Sequence, residues 1–143
     1  MFCFSRRLND RINRIHERGL RIVYEDYTSS FQELLRINNS VSIHHRNIQL
    51  VAVEIAKVKH SLSPEVMVEL FKFNTNPKRH NTFIIPKIKT EYMGKLSLRY
   101  FGPVVWETML PAKYKEIDAL ETFKEEIKKW RLCKNYVAQV GFI

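Results

Sequence analysis

Ile48, Val51, Ile55 and Val58 recur at i, i+3, i+7 and i+10, a spacing that gathers all four on one side of an α-helix and scatters them over both faces of a strand. The pattern predicts a helix over residues 43–59, with Ser42 as its cap. The same spacing appears earlier, where Leu8, Ile12, Ile15, Ile22 and Val23 predict an amphipathic helix over residues 7–24 that buries Ile12 and Ile15. Ser30-Phe31-Gln32-Glu33 reads as a capping box for a short helix carrying Leu34 and Leu35, ended by Asn38-Asn39-Ser40. Ser63-Pro64-Glu65 starts a fourth helix, carrying Val66, Met67, Leu70 and Phe71.

Beyond residue 71 the periodicity weakens. Residues 72–95 are rich in Asn, Pro, Thr and basic side chains, and only Phe83-Ile84-Ile85 and Ile88 suggest short strands. Residues 96–100 alternate as a strand would, and Gly102-Pro103 interrupts them, with Pro103 placed to begin a turn of helix through Trp106. Asp118-Ala119-Leu120-Glu121 forms another capping box before a last helix lined by Leu120, Phe123, Ile127 and Trp130. The expected architecture is mainly α: an N-terminal helical bundle over residues 1–71, then residues 72–143 with a basic irregular middle holding one or two short strands, a C-terminal helix and an apolar tail.

With 45% hydrophobic residues in 143, the chain has material for a packed core. A formal charge of +9 attracts polyanions, nucleic acid or an anionic membrane alike. No apolar run approaches the ~20 residues that span a bilayer. Met1-Phe2-Cys3-Phe4 is too short for a signal core and its arginines follow rather than precede it. The expected location is therefore intracellular, cytoplasmic or nuclear, without a membrane partner. Cys3 and Cys133 stand alone, which argues against a disulfide framework or a cysteine zinc site.

Arg7, Arg11, Arg14, Arg18 and Arg21 follow i, i+4, i+7, i+11 and i+14, and on a helix they share a stripe about 80° wide, a quarter-turn from the apolar side. A guanidinium donates two parallel hydrogen bonds to phosphate and keeps its charge at any ordinary pH. Five like charges on one stripe repel unless a partner neutralises them, although a solvated face with Asp10 and Glu17 nearby uses the same residues. A second basic region, residues 71–100, holds seven Lys or Arg, among them Lys78, Arg79, Lys87 and Lys89, against the single acid Glu91. Phe83, Tyr92, Tyr100 and Phe101 are interleaved there, which suits either stacking on unpaired bases or inward packing.

Catalytic constellations are missing from the pattern. Tyr24-Glu25-Asp26-Tyr27 lacks the second aspartate of a polymerase turn, and Asp10, Asp26 and Asp118 are scattered. Four glycines leave no room for a phosphate loop or a nucleophile elbow. His44 shares the line of Ile48, Val51 and Ile55 and reads as a core histidine; His45 points about 100° away, so the pair does not converge on a metal. No catalytic residue, metal or cofactor is expected. Trp106 and Trp130 are candidate anchors for a protein partner.

Several strings, taken in order, resemble the C-terminal region of non-LTR (LINE-type) retrotransposon reverse transcriptases, the part that follows the catalytic palm. They are NDRINRIHERGLRIVYEDY (9–27) with Ser29-Ser30-Phe31, SIHHRNIQ (42–49), Lys57-Val58-Lys59 with LSPEVM (62–67), YFGPVVW (100–106), FKEEIKKW (123–130) and RLCKNYVAQVGFI (131–143). The resemblance implies that residues up to about 71 correspond to the polymerase thumb, with the arginine stripe toward a template-product duplex. It implies a non-catalytic fragment that binds the backbone of RNA or an RNA–DNA duplex, the fingers, palm and endonuclease of such elements having no counterpart here. A remnant of a decayed element without selected function is the alternative expectation, alongside a protein-interaction module. Many relatives carry extra cysteines before the final Arg-Leu-Cys-Lys; here Trp130 directly precedes Arg131. Gly19 stands where relatives commonly have Ala, a change that loosens a helix by about 1 kcal/mol.

Overall fold

In the computed structural model, which describes residues 6–76, 82–90, 94–95 and 97–131, the helical spacing becomes α1 (Arg6–Tyr24), α2 (Phe31–Ile37), α3 (Ile43–Lys59) and α4 (Glu65–Glu69). Then come α5 (Leu98–Val104), a π-helical turn (Val105–Met109), α6 (Ala112–Lys115) and α7 (Leu120–Lys129). The fold is mainly α, as expected. The described residues form two compact units, 6–47 with 131 in one and 48–130 in the other.

The N-terminal unit is built from α1, α2 and the first turn of α3. Ser30 caps α2 by accepting the Glu33 N–H at 3.3 Å. The Glu33 carboxylate binds the Arg36 guanidinium at 2.5 Å, and that bond lowers its pKa. Asn39, in the left-handed region at φ 47°, turns the chain after α2. Ser42 accepts the His45 N–H at 3.3 Å and so caps α3 where the sequence indicated. The core here is small: Leu20 of α1 against Leu34 and Leu35 of α2, with Phe31 packed alongside.

Residues 48–130 hold the larger core. Ile48, Val51, Ile55 and Val58 are all buried, so the α3 stripe does what its spacing predicts. Rings continue it: Phe83 meets Phe71 edge-on at 6.0 Å and Trp106 at 6.1 Å, and Trp106 tilts against Phe123 at 5.9 Å. Offset and edge contacts of this kind add to the burial of the rings themselves. Residues on either side of position 71 therefore share one core.

Two expectations for this region are corrected. Among the described residues the only strand-like pairing is the bridge between Phe73 and Phe83. Residues 98–100, read as extended, begin α5, and Pro103 lies inside the helix, where its missing N–H forfeits a single bond. The chain then widens into the π-helical turn, where the Leu110 N–H reaches back five residues to the Val105 carbonyl at 2.9 Å. Gly102 makes this arrangement fit: a Cβ there would stand 2.5 Å from Ile55 Cδ1 and 3.1 Å from Phe71 Cε1.

Buried polar groups fasten the unit. Gln49 of α3 is 8% exposed, and its Nε2 donates to the carbonyls of Ile127 at 2.9 Å and Trp130 at 3.0 Å, with Lys128 O at 3.4 Å. The amide thus ties α3 to the last turn of α7, where the Ile127 carbonyl also accepts the Trp130 N–H at 3.2 Å. Glu107, its side chain 5% exposed, accepts the Phe83 N–H at 2.7 Å and lies 3.7 Å from Lys115 Nζ. Lys59 donates to Lys115 O at 3.1 Å and sits over the Trp106 ring at 5.8 Å. The second capping box does not form: α7 starts after Ala119 without a side-chain cap, and Asp118 is exposed, 3.8 Å from Lys59 Nζ.

Candidate nucleic-acid interface

Nineteen continuous helical residues fix the directions of the α1 side chains. The face that packs on α2 carries Asn9, His16 and Leu20, roughly opposite the arginine stripe. His16 meets the Phe31 ring edge-on at 5.6 Å, and Asn9 Nδ2 approaches His44 Nδ1 at 3.4 Å. Burial lowers the pKa of His44, which favours the uncharged imidazole that such a contact suits.

This orientation corrects the expectation for the apolar side of α1. Ile15 is 70% exposed, Ile22 68% and Val23 72%, so the apolar stripe is not the buried face. Leu20, which does not follow that stripe, reaches α2 instead.

Arg7, Arg11, Arg14 and Arg18 are exposed and make no ion pair among the described residues. Arg21 differs. It binds Glu17 at 2.7 Å and donates to Tyr27 O at 2.6 Å and Ser29 O at 3.3 Å, holding the turn after α1. In the same turn Asp26 accepts the N–H groups of Thr28 and Ser29 at 3.0 Å. Hydrogen bonds from the Ser29 side chain first, then the Ser29 and Thr28 backbone, hold its carboxyl far below the ordinary carboxylate range. The Tyr-Glu-Asp-Tyr string thus closes a turn. Four of the five arginines remain as an open stripe.

Of the second basic region, Lys87 and Lys89 are exposed, and Lys78 and Arg79 lie outside the described residues, as does Tyr92. Phe83 and Phe101 are buried, 1% and 3% exposed, so these two rings pack inward rather than facing bases. Trp106 and Trp130 are also core residues, at 1% and 5%, which removes them as anchors for a partner protein. Their apolar area is spent inside the unit, Trp106 on Phe83 and Phe123 and Trp130 beside Tyr114 at 6.5 Å.

Among the described residues no group of three or more His, Cys, Asp or Glu could hold a metal ion, and no helix is long and apolar enough to cross a membrane. No known family profile, curated protein or solved structure matches the chain.

Proposed function

We propose that α1 binds the phosphate backbone of RNA or of an RNA–DNA duplex through Arg7, Arg11, Arg14 and Arg18, as a non-catalytic element working inside the cell. The observation that carries this reading is the open stripe: four guanidinium groups on one side of a continuous helix, exposed and without carboxylate partners among the described residues. Phosphates spaced along a backbone supply the counter-charge that no described carboxylate does. Lys87 and Lys89 add a second contact. The resemblance to the thumb of non-LTR reverse transcriptases supports the same face of the same helix, and with it a retroelement origin.

Titration of a labelled RNA–DNA duplex at several salt concentrations tests the reading. Replacing the four arginines by Gln should flatten the slope of log K against log salt by about 3 to 4, at roughly 0.7–0.9 per phosphate contact. An unchanged slope removes the proposal.

A further inference from the structure

Beside the arginine stripe runs a feature that phosphate binding does not use. Leu8, Ile15 and Ile22 recur every seven residues along α1, exposed to 38%, 70% and 68%. Ile12 lies between the first two, and Gly19, with open space around it, lies between the last two. Positions 8, 12, 15, 19 and 22 alternate steps of four and three, the repeat in which a second helix lies alongside the first with knobs in holes. Gly19 would be one of the holes. The unit has reason to accept such a neighbour, because its own core is three leucines and one phenylalanine.

We infer that the Leu8–Ile15–Ile22 ridge is a docking surface for an acidic amphipathic helix of a partner protein. The charge of that helix follows from what flanks the ridge. Arg11 and Arg18 lie along its edge, where a packed helix places its own flanking side chains, and neither has a carboxylate partner among the described residues. Glutamates on the incoming helix would neutralise both. A second copy of α1 cannot do so: antiparallel pairing sets arginine against arginine, and parallel pairing sets Arg11 and Arg18 opposite His16 and Val23. The regular seven-residue spacing also favours a helix over a lipid surface, which needs only a broad apolar arc. The inference goes beyond phosphate binding but shares Arg11 and Arg18 with it, so the acidic helix and the nucleic acid should compete.

A designed peptide of three heptads, with Leu at the core positions and Glu at the flanking ones, serves as the probe, and the same peptide with Lys for Glu is its control. Fluorescence anisotropy with the full chain should show the Glu peptide binding at least about tenfold more tightly than the Lys peptide. Ile15→Ser and Ile22→Ser should each weaken it by about tenfold or more, with unchanged circular dichroism, because both side chains are already exposed. Duplex binding should survive Ile15→Ser, whereas Arg7→Gln with Arg14→Gln should weaken duplex binding and spare the peptide, so the two readings fail separately. Equal binding of the two peptides, or wild-type affinity in the serine variants, overturns the inference. So does a dimer in sedimentation that Ile15→Ser dissolves, which would assign the ridge to a second copy. Phosphatidylserine vesicles that retain the wild-type chain but not Ile15→Ser, with no peptide bound, would overturn it in favour of a membrane surface.

Discussion

Adding a single carbon at Gly102 should destabilise residues 48–130, and the structure sets the size of the effect. The new Cβ would meet Ile55 Cδ1 at 2.5 Å, about 1 Å inside ordinary contact, and Ile55 is 1% exposed and cannot swing into solvent. Overpacking of this kind costs about 1–3 kcal/mol, offset by up to about 1 kcal/mol from the better helix propensity of Ala. The net loss expected for Gly102→Ala is about 1–2 kcal/mol. Ile55→Val removes the clashing atom and alone costs about 0.5–1.5 kcal/mol. Together the two substitutions should cost less than their sum by about 1 kcal/mol, since the closest contact is gone and only those at 3.1 and 3.2 Å remain. Urea unfolding followed by tryptophan fluorescence is the assay, because both tryptophans of the chain, Trp106 and Trp130, lie in this unit. Strict additivity, or a Gly102→Ala chain as stable as the parent, would refute the reasoning.

Gly19→Ala should act in the opposite sense: nothing lies within 4 Å of the added carbon, so thermal melting by circular dichroism should show the N-terminal unit stabilised by about 1 kcal/mol. Gln49→Leu keeps the bulk but removes the amide bonds to two close carbonyls, and a loss of about 1–3 kcal/mol in urea unfolding is expected; a neutral result would mean that water replaces the amide. His44 should make stability depend on pH. Its folded pKa lies below the unfolded one, so the unfolded chain binds the proton first, and stability falls as pH drops through about 6.5 and levels off below the folded value. Chemical unfolding of His44→Gln between about pH 7.5 and pH 5 should show that slope reduced, and an identical slope would place its origin elsewhere.

Helices whose period is long and strong were legible in the sequence. Ile48 to Val58 fixed both the bounds and the buried face of α3, and Phe123 and Ile127 marked the buried face of α7, while Trp130, read as part of that helix, lies just past its end. Residues 96–100 misled because five residues of alternation fit a strand as well as little more than one turn of helix, and because Gly102-Pro103 looks like a breaker when the glycine is there for close approach to Ile55. The face of α1 was misread for a related reason. Periodicity says which apolar residues lie together but not which side finds a neighbour, and here Leu20 and His16 meet α2 while the polar Asn9 meets His44 of α3. Composition likewise cannot separate a core tryptophan from an interfacial one. Four of the five stripe arginines stand where helical geometry put them, while Arg21 was taken by Glu17 and by carbonyls of a turn that spacing does not reveal.

The fastening at Gln49 also orders events in time. Its amide, early in the chain, is completed by carbonyls 78 to 81 residues downstream, so this unit cannot finish assembling during synthesis until Trp130 has left the ribosome. Until then the Gln49 amide lacks those acceptors, and a chain truncated before Ile127 would be without Ile127 and Trp130, two buried residues of this core, and so more prone to aggregate.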